Sequence, residues 1–182
     1  MGESRQGAET PVFLVRTADQ GRCDNHRMNT YMLLKLLHVL SSTVLFGTGM
    51  GIAFFKWITD RSGDVRAIRI VTERTVLADY LFTTPAVIIQ PVTGFAMIWL
   101  AGYPLFSTWI AWSVALYLLA GVCWLPVVWL QIRMRDIARV ADADGAALPP
   151  LYWRYQRLWF LLGIPAFSAL VVIFWLMLNK PM

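Results

Sequence analysis

The sequence predicts an all-α polytopic membrane protein, a four-transmembrane-helix bundle, and three observations lead there. Of its 182 residues, 58% are apolar and only 15% charged, whereas a soluble domain carries about 25% charge. No Lys, Arg, Asp or Glu occurs between Tyr80 and Ile132, a stretch of 53 residues. The basic residues behind the net charge of +5 flank apolar segments, as they do in chains that cross a bilayer several times. Together these exclude disordered, collagen-like, disulfide-rich and nucleic-acid-binding classes, and they make the lipid bilayer the expected partner.

A helix needs roughly 20 apolar residues to cross about 30 Å of hydrocarbon. Counting between charges and breakers gives the spans in order. The first covers about 31–55, with Lys35 as its one formal charge. The uncharged stretch is too long for one crossing and breaks at Gly102, Tyr103 and Pro104, giving spans at about 77–101 and 108–131; the fourth lies at about 158–178. Long apolar runs without period-two alternation read as helices rather than barrel strands. Domain organisation follows: residues 30–180 form the membrane domain, and residues 1–29 an expected disordered tail in which Arg5, Arg16, Arg22 and Arg27 balance Glu3, Glu9, Asp19 and Asp24. Met28 opens MNTYMLLKLL directly before the first span and is the expected translation start.

Lys56, Arg61, Arg66, Arg69 and Arg74 follow the first span, and Arg133, Arg135, Arg139, Arg154 and Arg157 follow the third, while the hairpin at Gly102 to Ser107 has no charge. The excess of Lys and Arg on one side predicts that both Arg-rich connections are cytoplasmic and both termini outside. Within the first connection, Asp64 and the spacing of Val65, Ile68 and Val71 predict a short helix along the headgroups. In the second, ADADGAALPP reads as an irregular turn stopped by Pro149 and Pro150.

Polar side chains at membrane depth turn toward protein or water, so stripes at helical spacing mark the bundle interior. Span one offers Lys35, His38, Ser42 and Gly49, with Ser41 at the edge. Span two offers Asp79, Thr83, Ala86, Gln90, Thr93 or Gly94, and Met97. Spans three and four offer Ser113, Tyr117, Gly121, Trp124 and Gln131, then Arg157, Ser168 and Trp175. For most of these, close packing and interhelical hydrogen bonding suffice as an explanation. Asp79, Gln90 and Ser42 are therefore expected to be structural, Asp79 in a pair with Arg74, Arg133, Arg154 or Arg157. Gly47 and Gly51, four residues apart, fit a close helix contact and not a phosphate loop, because no strand precedes them. Cys23 and His26 supply two ligands where zinc wants four.

Lys35 and His38 are the candidate binding residues, since ionisable groups inside a span are costly unless used or paired. A neutral imidazole ligates haem or metal and carries protons, and the bland alternative is a hydrogen bond to a neighbouring helix, with Lys35 snorkelling to the headgroups. Matching depths across the spans places any pocket in the outer half of the bilayer, around His38.

The segments LLKLLHVLSSTVLFGTGMG, DYLFTTPAVIIQPVTG, CWLPVVWLQIRMRD and YWRYQRLWFLLGIPAF together resemble a family of bacterial predicted integral membrane proteins of unknown function. The resemblance implies a bacterial cytoplasmic (inner) membrane location and names no activity. More distantly, Lys35-x-x-His38 followed by Pro85, Ala86 and Gly94 looks like the four-helix membrane protoporphyrinogen oxidases and the related copper-resistance membrane domain. That likeness implies haem b, with His38 on the iron and Lys35 beside it. This chain departs from it in lacking an Arg segment at the end of span one and a lysine in span three. Two functions are therefore expected as alternatives: a haem-binding or redox-associated bundle, or a non-enzymatic accessory subunit or small transporter, as a homo-oligomer or part of a larger membrane complex.

Overall fold

In the computed structural model, residues 12–180 are described, with side chains from His26 onward. Most of the expected tail at 1–29, including Cys23, therefore lies outside the described side chains, and the translation start is not a structural matter. Among the described residues there are helices and turns and no strands. Helix α1 spans Val12–Ser62, α2 Val65–Ala78, α3 Thr84–Ala101, α4 Thr108–Ala143 and α5 Pro150–Asn179. Four helices are long and apolar enough to cross a membrane: His26–Ser62, Val65–Ala101, Thr108–Ala143 and Pro150–Asn179. The four-helix bundle predicted from the charge-free runs is thus the fold.

The spans extend well past the apolar runs at the Arg-rich end. Asp64 caps α2, its carboxylate accepting from the backbone N–H groups of Arg66 and Ala67 at 2.9 and 3.1 Å, which supplies two of the donors a helix start leaves bare. The helix so begun does not lie along the headgroups as expected. It runs on through one π-helical turn, Asp79–Thr83, into α3. Pro85 explains that turn: it has no N–H and its ring crowds the carbonyl four residues back, so the ladder widens locally, and the Thr84 N–H bonds to the Asp79 carbonyl. In the second connection α4 stays helical to Ala143, and only residues 144–149 form the turn that Pro149 and Pro150 were expected to impose.

α4 packs along α5, α1 along α3, and α2 against α4, whereas α1 and α5 barely meet. The tightest core lies at the Arg-rich end, where Ile68 of α2, Leu130 and Met134 of α4, and Tyr152 and Trp159 of α5 are buried together. Over it, Arg69 reaches Asp142 at 2.6 Å and Glu73 reaches Arg139 at 2.6 Å, tying α2 to α4. At the opposite, hairpin end Gly102 closes α3 with φ +68°, a conformation that suits a residue without Cβ. Where α1 does approach α5, aromatic rings do the work: Phe46 meets Phe167 and Phe174 edge-on at 5.4 and 5.8 Å.

Candidate functional site

The divergence of α1 from α5 leaves a cavity of about 450 Å³ between the four spans, within the range of small-molecule sites. Its wall is apolar and aromatic, with Phe46 from α1, Tyr117 and Trp124 from α4, and Trp159 and Phe167 from α5. Gly49 lies beneath Phe167, so closely that a Cβ there would stand 2.8 Å from its ring edge. Gly121 and Gly163 face open space instead: a Cβ at either meets nothing within 4 Å.

Polar atoms are concentrated at one end of this space. The π-helical turn carries Asp79 and Thr83 into the lining. Asp79 is 7% exposed and accepts a 2.6 Å hydrogen bond from Thr83 Oγ1, with Gln131 of α4 beside it. The expected arginine partner is absent: the ion pairs among the described residues do not include Asp79. Arg133 stacks on Trp129, and Arg157 turns back to the Trp153 carbonyl. An arginine would have had to enter an apolar cavity, whereas a threonine one turn away satisfies the carboxylate at no such cost.

Three buried polar atoms of the described residues have no hydrogen-bond partner: Trp124 Nε1, Trp159 Nε1 and Gln131 Oε1. All three residues line this cavity, but the three atoms themselves are closed off from it, each having almost no accessible surface. Buried polar groups are hydrogen-bonded in the large majority of cases, and each exception asks for a missing partner.

His38 lies elsewhere. The residue is 8% exposed and its ring sits between α1 and α3, with Nδ1 2.8 Å from Thr93 Oγ1 and Cε1 against Gly94, where a Cβ would come to 3.4 Å. Thr93 also lies 2.7 Å from the Ile89 carbonyl, which can only accept. The network therefore assigns the proton to His38 Nδ1, which donates to Thr93. Gln90 completes the seam, its Nε2 donating to the His38 carbonyl and to Ser41 Oγ, both at 2.7 Å. Gln90 and Ser41, not Ser42, are the structural bridge; the Ser42 hydroxyl returns to the Val39 carbonyl of its own helix.

Lys35 is exposed, and the expected shared face with His38 is not an inward one. The lining of the cavity between the four spans includes neither Lys35 nor His38. The cavity lies toward the Arg-rich end, below His38, and not in the outer half as depth matching predicted, because the helices close along α1–α3 and open along α1–α5. A porphyrin does not fit this arrangement: the His38 ring is packed against α3, and the lysine meant to accompany it points away from any enclosed space.

Three further expectations need correction. Gly47 and Gly51 make no close helix contact, a role Gly49 fills. Arg157 and Trp175 are exposed, the inward face of α5 being Tyr152, Trp159, Ala169, Ile173 and Leu176. Lys56, counted among the solvated loop charges, is 0% exposed. Its ammonium donates to Asp60 at 2.9 and 3.1 Å, to Tyr152 at 2.8 Å and to Thr72 at 3.3 Å. Tyr152 and Gln156 in turn donate to the Asp60 carboxylate, both at 2.8 Å. The i, i+4 spacing of Lys56 and Asp60 was the available signal for the pair; nothing local pointed to Tyr152.

His38→Ala should cost about 1–3 kcal/mol, the price of a buried hydroxyl left without its donor, and should leave the visible absorption of the purified protein unchanged. A Soret band present in the wild type and lost in this variant would contradict the packing role.

The family described as predicted integral membrane protein (DUF2269) matches residues 32–181. No curated protein and no solved structure matches the chain. The more distant likeness to the protoporphyrinogen oxidases and the copper-resistance domain has no counterpart among these matches. With 32–181 covering all four spans, the chain belongs to the DUF2269 family of integral membrane proteins.

Proposed function

We propose that the bundle is a non-enzymatic binding or transport protein of the bacterial cytoplasmic membrane, which takes a small amphiphilic molecule into the cavity between its four spans. The observation that carries this reading is an apolar and aromatic cavity of about 450 Å³ between the four spans, lined at one end by the hydrogen-bonded side chains of Asp79 and Thr83. An empty apolar void stays dry and needs no polar lining, whereas a site for a ligand combines apolar walls with a few placed polar groups. Protein in nanodiscs should bind propylbenzene saturably above the partition into empty discs. Purely linear partitioning at all concentrations would remove the reading. Haem at His38 is the reading the distant resemblance favours, and the occluded ring and exposed Lys35 speak against it.

The orientation belongs to the same proposal. Ten Lys and Arg in the two Arg-rich connections against none in the Gly102–Ser107 hairpin support a cytoplasmic Arg-rich end and outside termini. Reporter fusions after Gly145 and after Met182 should report opposite compartments. The same compartment for both would mean that the span count is wrong.

A further inference from the structure

We infer that the groove between α1 and α5 at the Arg-rich end binds an anionic phospholipid, its phosphate held by Arg61 and Arg157 and one acyl chain laid against Phe160 and Leu161. The groove shares Phe160 alone with the cavity described above, and the inference does not rest on the occupancy of that space. Its polar end is cationic. Arg69, Arg135 and Arg139 are each paired with Asp or Glu, whereas Arg61 and Arg157 enter no ion pair among the described residues. Both are exposed, and both are steadied on tryptophans of the groove. The Arg61 guanidinium lies 4.3 Å from the centre of the Trp57 ring, and Arg157 Nε donates to the Trp153 carbonyl at 3.4 Å. Neither contact neutralises the charge, and a guanidinium presents a fork of N–H donors that matches two phosphate oxygens.

The third charge of the lining does not oppose this. Asp60 is 3% exposed, and its carboxylate is taken up by Lys56, Tyr152 and Gln156. The Lys56 ammonium 2.9 Å away offsets it, which leaves the two guanidiniums as the net charge of the groove. An enclosed and committed carboxylate also offers no counter-ion to a choline or ethanolamine head, so a head group without a cation is favoured over a zwitterionic one. The other end is built for hydrocarbon. Arg157 directly precedes the apolar run of α5, in which Phe160 and Leu161 follow within about one turn, and Leu161 is 62% exposed. Trp57 and Trp153 are of the residue type that gathers at headgroup depth. Basic pockets between membrane helices hold anionic lipid heads in just this setting. A soluble phosphate would leave Phe160 and Leu161 bare, whereas a lipid covers both.

The test titrates the full chain in dodecyl maltoside with dioleoylphosphatidylglycerol or dioleoylphosphatidylcholine and counts bound lipid by native mass spectrometry. The first phosphatidylglycerol should bind about tenfold or more tightly than the first phosphatidylcholine, a preference that two basic residues at headgroup depth supply. Arg61→Gln combined with Arg157→Gln should bring the two lipids within about twofold of each other. Should that pair fail to fold, Arg157→Gln alone should reduce the preference severalfold. Arg133→Gln with Arg154→Gln removes the same charge from the same end but outside the groove, and should keep the preference. Glycerol 1-phosphate at millimolar concentration should not displace the bound lipid. Equal binding of the two lipids by the wild type, a preference unchanged in either groove variant, or one lost equally in Arg133→Gln with Arg154→Gln overturns the inference, the last result assigning the preference to the net charge of that end. Displacement by glycerol 1-phosphate overturns the lipid as occupant and leaves a site for soluble phosphate esters. Propylbenzene remains a separate readout: its failure to bind, with the phosphatidylglycerol preference intact, removes the cavity reading alone.

Discussion

Asp60→Ala should destabilise the bundle by about 3 to 5 kcal/mol, the range for a buried ion pair that loses one partner. Lys56 explains why the figure belongs at the high end. Its ammonium is wholly enclosed, and Asp60 supplies its one negative charge, both oxygens lying within 3.1 Å. Deleting the carboxylate also strands the Tyr152 hydroxyl and the Gln156 amide, which both donate to it. Three helical elements meet here: Lys56 and Asp60 on α1, Thr72 on α2, and Tyr152 with Gln156 on α5. The loss should therefore appear as a single earlier transition in a reversible unfolding titration in mixed micelles. Lys56→Met combined with Asp60→Leu should recover most of the loss, since well-packed apolar pairs replace buried ion pairs at little or no cost. A shift below about 1 kcal/mol for Asp60→Ala is the behaviour of a solvated pair and would refute the enclosure of Lys56.

This network marks the boundary of what the amino-acid order made legible. The spans were plain from charge-free runs. The stripe Asp79, Thr83, Ala86, Gln90 and Thr93 emerged from spacing alone, and all five are buried. Spacing worked there because span two has a regular inward face from the π-helical turn upward. It failed on span four, where Arg157 and Trp175 at the ends of the helix looked like stripe members and instead lie on the outside. Lys56 was misplaced because a count of charges ends the span where the charged connection begins, whereas α1 runs six residues past Lys56 to Ser62 and turns that lysine inward. Its partner Tyr152 is 96 residues away, a contact set by where the ends of α1 and α5 come together at the Arg-rich side and invisible to local pattern. The same holds for the cavity. It follows from the divergence of α1 and α5 and from a turn widened by Pro85, and neither leaves a period in the sequence.

Filling the cavity is expected to abolish ligand binding and spare the fold. Gly121 and Gly163, on α4 and α5, both line the space, and a Cβ at either meets no atom within 4 Å. Gly121→Phe together with Gly163→Phe would thus place two rings where propylbenzene is expected to sit. An engineered apolar cavity of about 150 Å³ binds benzene; one of about 450 Å³ holds a larger molecule until it is occupied by side chains. Binding should fall about a hundredfold or more. Stability should hold or rise, because each new ring gains packing contacts, and Gly in a helix interior is itself unfavourable by roughly 1 kcal/mol relative to Ala. Gly49→Leu is the contrasting substitution. Even its Cβ would stand 2.8 Å from the Phe167 ring, so the α1–α5 contact must give way, at the 1–3 kcal/mol typical of overpacking. The pair of outcomes separates occupancy from damage: a stable, folded double-Phe variant that no longer binds, beside a weakened Gly49→Leu, locates the ligand between the four spans. A double-Phe variant that binds like the wild type would place the ligand outside this cavity.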